Sequence, residues 1–269
     1  MYRRRPWGLY AYAALAYAFL FAPIVVVAVN SFNADRFRIR WGGFTTHWYT
    51  SAWSDSSTVA AARTSLIIAV IVAVAATAIG TATALYLRRS GRWTGALVSG
   101  TTYARLVIPE LLLAIALLIL FSRLSIGRGM LTIVIGHVVL NSAYVTVIIG
   151  ARLAQREQFT EEAARDLGAT PFRAFRRVTL PEIMPAVVAS AILAFTFSLD
   201  NVVSSFFLSG STNTLPLVIL SLIRFEVSPA VNALGMSLTA VTAVAMVAFL
   251  LVNRRRSRTE ALTRPDSRP

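Results

Sequence analysis

Six stretches of about 20 mostly apolar residues, each long enough to cross the hydrocarbon core of a bilayer as a helix, divide this chain. They run from Leu9 to Val29, Ser65 to Leu87, Tyr103 to Phe121, Leu131 to Gly150, Ile183 to Leu208 and Ala230 to Val252. In lipid a backbone must satisfy its own hydrogen bonds, which leaves helices for segments of this length. The expected fold is therefore all-α, a polytopic membrane protein with six transmembrane helices over residues 1–258 and a disordered tail over 259–269. Composition agrees, with 56% apolar and 14% charged residues, more apolar than soluble domains usually are. The basic start "MYRRRPWG" precedes an apolar run too long for a cleavable signal and followed by no small-x-small site, so the first run is read as a retained anchor helix.

Charge orients the spans. Arg3, Arg4 and Arg5 precede the first, Arg88, Arg89 and Arg92 follow the second, a group from Arg152 to Arg177 follows the fourth, and Arg254, Arg255, Arg256 and Arg258 follow the last. Retention of arginine on the cytoplasmic side puts both termini and the segment 151–183 in the cytoplasm; Arg36, Arg38 and Arg40 in the first outer loop oppose the rule. The same bias accounts for the net charge of +14, because the arginines flank apolar runs and form no single basic face of the kind nucleic acid requires. There is no cysteine, and His47 and His137 stand far apart, which removes thiolate and paired-histidine metal sites. There is also no lysine, so the chain has no Walker A loop. Any ATP must be bound by another chain.

Local chemistry marks other segments. The loop "RWGGFTTHWYTSAW" places Trp41, Phe44, Trp48, Tyr49 and Trp53 either as an interfacial aromatic belt or as a contact for an external partner. Ala76, Gly80 and Ala84 recur every fourth residue and predict a close-packing helix face. Pro23 is expected to kink the first helix. Leu215 to Phe225 is too short to span and should form an interfacial helix, and Ser228 with Pro229 should cap and start the last span.

The segment "TEEAARDLGATPFRAFRRVTLP" reads as helix, sharp turn, helix. Thr160 is a candidate cap, Glu161 and Glu162 suit the positive end of the helix dipole, and Gly168 can take the left-handed conformation that ends a helix. Thr170 and Pro171 restart helix, which Pro181 should stop at Leu180. Ala169, Thr170, Pro171 and Phe172 form the exposed tip, with Arg173, Arg176 and Arg177 behind it. Glu162, Ala163, Ala164, Gly168, Val178, Leu180 and Pro181 match the spacing E-A-A-x3-G-x9-I-x-L-P, with valine for isoleucine.

By that signature the segment resembles the coupling loop of the permease subunits of bacterial ABC importers. "NSFN", "WGGFTTHWY", "PELLLAIALLILF", "SLDNVVSSFFLSG", "TLPLVILSLIR" and "VSPAVNAL" extend the likeness to the spermidine and putrescine branch of that family. The resemblance implies a type I importer permease of the bacterial inner membrane, assembled with a second, different permease, an ATPase dimer that carries ATP and Mg, and an external solute-binding protein. Glu162, Ala163, Ala164, Gly168, Ala169, Thr170, Pro171, Phe172, Leu180 and Pro181 would then meet the ATPase, and this chain would hold no cofactor of its own.

Away from that loop, Glu110 and Asp200 are the acids within or bordering a predicted span. A carboxylate at a helix centre costs roughly 3 kcal/mol and should face a polar path or a partner. Asp200, among Ser198, Asn201, Ser204 and Ser205, either meets an ammonium group or pairs internally, for instance with Arg105 or a neighbouring subunit. Glu110 follows Pro109, so helix-dipole stabilisation and substrate contact both suit it. The substrate path is thus Asp200, Asn201, Glu110 and Ser204; permeases of the polyamine branch often carry a second acid where Asn201 stands, and its carbonyl can still accept from an ammonium. His137, with Asn141 one turn later, suits hydrogen bonding within the bundle. A secondary transporter would leave the E-A-A segment unexplained and would commonly show repeated halves, which are not seen. An intramembrane hydrolase lacks a nucleophile and base in context.

Overall fold

The computed structural model describes residues 7–35, 40–155, 159–225 and 229–263. Arg3, Arg4, Arg5, Arg36, Arg38 and Ser228 lie outside them, as do the side chains of Thr160, Phe225 and the arginines from Arg254 to Arg258. The described residues are helical apart from turns and one isolated antiparallel bridge, Asn33 to Phe44. Among the described residues five helices are long and apolar enough to cross a membrane, and a sixth span is formed if a sharply bent pair is taken together. The chain divides into two compact units, residues 1–60 with 218–241 and residues 61–217 with 242–269.

In the first unit, α1 (Trp7–Asn30) contains Pro23 and buries none of its residues, with Phe19 79% exposed. That suits a helix whose solvent is lipid. The loop that follows folds on Asn33: its Oδ1 accepts from the amides of Asp35 at 3.1 Å and Gly42 at 2.8 Å, while its amide group donates to the Arg40 carbonyl at 2.8 Å. Trp48 and Tyr49, on α2 (His47–Ser54), turn their polar ends inward, the indole to the Asn33 carbonyl and the phenol to Ser31 Oγ, both at 2.8 Å. Part of the aromatic pattern therefore builds the loop itself. Asp55 then starts α3 (Ser56–Arg89), accepting from the Thr58 amide and from the hydroxyls of Ser57 and Thr58. These bonds favour its charged form and hold its carboxyl down at about 2.

The second unit holds most of α3, then α4 (Arg92–Val107), α5 (Glu110–Arg123), α6 (Met130–Ala154), α7 (Phe159–Asp166), α8 (Pro171–Ala174), α9 (Leu180–Leu199) and α10 (Val203–Leu208). The helix α11 (Leu215–Phe225) is the short apolar helix expected, its first amide bound by Ser65 Oγ at 2.8 Å. The last helix, α12 (Ala230–Thr263), runs past residue 258.

Ile68, Val72 and Ala76 of α3 are buried with Ile133, Val145 and Ile149 of α6 and Ile183 and Ala194 of α9. The small-residue face works as read: a Cβ on Gly80 would lie 2.5 Å from Val145 Cβ and 2.8 Å from the Ser142 carbonyl oxygen. Neither atom is the end of a flexible side chain, so Gly80→Ala must push α3 and α6 apart at a cost of about 1–3 kcal/mol. A lowered unfolding temperature of the purified chain in detergent is the expected readout, and an unchanged one would mean that the contact relaxes freely.

Three expectations need correction. The third predicted span, Tyr103 to Phe121, is not one helix: α4 and α5 meet at a 111° bend at Ile108 and Pro109. Proline disfavours helical backbone at the residue before it, and Ile108 is extended (φ −64°, ψ 125°). The fifth span also breaks, at Asp200 to Val202, because the side-chain oxygen Oδ1 of Asn201 accepts from the amides of Ser204 and Ser205 at 3.0 and 3.3 Å and starts a new helix. Finally, helix does not stop at Leu180 before Pro181. A π-helical turn over Phe175–Thr179 carries α8 into α9, its wider 175-to-180 hydrogen bond making room for a ring that would otherwise strike the carbonyl four residues back.

Candidate functional site

Two constructions in the second unit gather the residues singled out by sequence. The first is the elbow between α7 and α9. Gly168 has φ +86°, and the turn around it closes with the Ala169 amide on the Ala164 carbonyl at 3.0 Å and the Gly168 amide on the Arg165 carbonyl at 2.9 Å. This is the paired-bond helix ending that glycine permits. Thr170 (φ −64°, ψ 153°) then caps α8, its hydroxyl accepting from the Arg173 amide at 3.4 Å, with Pro171 in first position. Glu162, Ala163, Pro171 and Phe172 are exposed, Phe172 by 71% and the neighbouring Leu167 by 90%, whereas Ala164, Ala169 and Leu180 are half-buried. The elbow thus presents an apolar and charged tip on a backbone whose turns are closed by hydrogen bonds.

Sequence reasoning did not find the residue that holds this elbow. Glu161, 8% exposed, receives Arg89 at 2.8 Å and Arg88 at 3.5 Å from the end of α3, and Thr179 Oγ1 at 3.0 Å from the π turn. Its neighbour Glu162, and not Glu161, carries the signature position.

The second construction is a cavity of about 570 Å³ at the junctions of the broken helices. Its wall includes Arg105, Glu110, Asn141, Tyr144, Phe197, Asp200 and Asn201. Asp200 is not at a helix centre, as its span had implied. It ends α9, its amide donating to the Thr196 carbonyl at 3.1 Å, and is exposed; its carboxylate makes no hydrogen bond or ion pair among the described residues, so it does not pair with Arg105, whose Nε is buried without a hydrogen-bond partner. Tyr144 and Phe197 meet edge to face with ring centres 5.4 Å apart.

Glu110 opens α5, and its Oε1 accepts from Asn201 Nδ2 at 2.6 Å and Ser204 Oγ at 2.9 Å. That contact joins the two helix breaks. It also fixes the surroundings of two of the residues expected along the path. Asn201 lines the cavity, but its Oδ1 accepts from two backbone amides and its Nδ2 donates to Glu110. Ser204, 1% exposed, lies outside the cavity wall and positions Glu110. Behind them His137, 1% exposed, bridges Ser198 Oγ at 2.9 Å and Ser205 Oγ at 3.3 Å, and Asn141 donates to the His137 carbonyl at 2.8 Å. The histidine is a bundle hydrogen-bonding group, as read. Long-range pairings of this kind have no local spacing that would reveal them.

The second unit thus combines apolar helices, an elbow closed by hydrogen bonds and a polar cavity at its helix breaks. The chain belongs to the family of binding-protein-dependent transport system inner membrane components, whose model matches residues 76–258, and it is accordingly a multi-pass inner-membrane permease subunit.

Among its relatives, the putrescine transport system permease protein PotI of Escherichia coli K12 is 40% identical over 262 residues, 93% of this chain and 92% of that protein. The spermidine/putrescine transport system permease protein PotC of the same organism is 40% identical over 243 residues, 90% of this chain and 92% of that one. The Haemophilus influenzae PotC is 37% identical, covering 91% and 96%. In fold the chain is similar to a bacterial ABC transporter involved in the import of alginate, with a TM-score of 0.70 at 15% identity over 95% of this chain and 96% of that chain. The MetNI methionine ABC transporter in inward-facing conformations matches with a TM-score of 0.62 at 17% identity over 73% and 94%. Type I importer permeases share this all-helical fold.

Proposed function

We propose that this chain is one of two different permeases in an ATP-driven importer that carries polyamines of the spermidine and putrescine class into the cytoplasm. The observation that carries the substrate reading is the unpaired Asp200 carboxylate in a cavity that also holds Glu110 and an aromatic pair. An extended dication suits such walls: an ammonium can meet the carboxylate while methylenes and a second ammonium lie on the faces of Tyr144 and Phe197. The named activities of PotI and PotC support the same class. The elbow, the missing lysine and the family support a separate ATPase dimer that binds ATP and Mg and docks on the tip from Ala169 to Phe172. An external solute-binding protein delivers the substrate, and both termini lie in the cytoplasm, as the arginine distribution indicates.

The test is uptake of labelled putrescine, spermidine and spermine by the reconstituted assembly. Asp200→Asn keeps the volume and removes the charge, so it should slow polyamine uptake about tenfold while assembly and ATP hydrolysis persist. An unchanged rate in that variant would remove Asp200 from the path.

A further inference from the structure

Three segments distant in sequence converge on one buried carboxylate. Glu161, in the first turn of α7, receives Arg88 and Arg89 from the last turn of α3 and the Thr179 hydroxyl from the π turn that leads into α9. Thr179 is 1% exposed, and the side chains of Glu161 and Arg88 are 11% and 21% exposed. Neither Glu161 nor Thr179 occupies a signature position of the E-A-A motif; one precedes it and the other fills the gap between Val178 and Leu180.

α7 has eight residues, too few to hold a helix by itself, so its stability must come from what it is tied to. Its C-terminal side passes through Gly168 to the tip. Its N-terminal side is held by Glu161 to two long helices at once. One is α3, whose small-residue face packs on α6; the other is α9, which ends at Asp200 in the cavity wall.

We propose that Glu161 is the positioning residue that makes the elbow, the end of α3 and the start of α9 one body, so that a displacement at the tip reaches both helices together. This rests on the reading of the elbow as the ATPase contact. Without the carboxylate, α7 keeps its tip but loses its grip on α3, and the ATPase turns over against a bundle that follows poorly. Two arginines would then face each other with their counter-charge gone, and the α3 end would part from the π turn.

The experiment compares wild type, Glu161→Gln, Arg89→Gln, the double variant and Glu161→Asp in the full reconstituted transporter, measuring ATPase retention, ATP hydrolysis and substrate moved per ATP. Glu161→Gln should retain the ATPase and hydrolyse ATP, yet move about tenfold less substrate per ATP. Arg89→Gln should shift the ratio the same way, the double variant should be no worse than Glu161→Gln, and aspartate should restore part of the ratio. An unchanged ratio in Glu161→Gln, or losses that multiply in the double variant, would overturn the proposal. If Glu161→Gln does not assemble, Arg89→Gln decides, since that side chain is 63% exposed and an unchanged ratio there has the same force. Phe172→Ala at the tip separates the two readings. Undiminished ATPase retention in that variant removes the docking reading and the proposal with it, whereas reduced retention alongside an unaltered Glu161→Gln ratio removes the proposal alone.

Discussion

Glu110→Leu will abolish most transport, cutting uptake about a hundredfold, and will do so through geometry more than through charge. The side chain it replaces accepts from Asn201 and from Ser204, whose hydroxyl is 1% exposed. Leaving a buried donor without its acceptor costs about 1–3 kcal/mol for each group, and the two donors lie at the break that positions Asp200. The broken-helix arrangement is thus penalised by about enough to account for that loss of rate. Glu110→Gln is the control, because its amide carbonyl can still accept while the charge is gone; it should keep the break and lose far less. Uptake and thermal unfolding measured on both variants decide the matter. Equal behaviour of leucine and glutamine would show that the hydrogen bonds between the breaks do not position the cavity.

The elbow gives the second large effect. At Gly168 φ is +86°, and nothing among the described residues lies within 4 Å of where a Cβ would stand, so a substitution there meets no neighbour. Its cost is intrinsic to the backbone, about 1–2 kcal/mol for an ordinary L-residue and more for a β-branched one. Gly168→Val should relieve that strain by turning out of the left-handed region, which opens the bonds from Ala169 to Ala164 and Gly168 to Arg165 and moves the tip. Uptake should fall by tenfold or more, with the purified chain unfolding at nearly its usual temperature. Gly168→Asn, which tolerates the left-handed region, should retain much of the activity. Normal uptake by the valine variant would mean that the tip's placement does not matter to transport.

What could be read in the sequence was whatever is decided within a few residues. Gly168 as a helix ending, Thr170 with Pro171 as a helix start and the small-residue face around Gly80 all depend on local spacing, and the structure forms each of them. The breaks were half legible. Pro109 favours a helix start after it and equally an extended Ile108 before it, and a hydropathy reading of Tyr103 to Phe121 registers only the apolar run that α4 and α5 share. At Asn201 the side chain competes with the helix for backbone amides, which a hydropathy reading of Ile183 to Leu208 cannot register. The pairings from Glu110 to Asn201 and Ser204, and from Glu161 to Arg89 and Thr179, join residues far apart in the chain. They exist only once the helices have packed, and no spacing rule announces them.

The π turn has a geometric consequence of its own. From Pro171 to Leu199 the chain is helical for 29 residues, about 43 Å at the helical rise, with the elbow tip at one end and Asp200 just beyond the other. Successive side chains on a helix point about 100° apart, so the count of residues between Pro171 and Asp200 sets the angular phase between tip and carboxylate. The π turn over Phe175–Thr179 holds one residue more than an α turn and so takes up that residue's roughly 100° within itself, leaving Leu180 to Leu199 and Asp200 in phase with α8. The wide turn is therefore an indexing device, keeping the two ends of one rod in step.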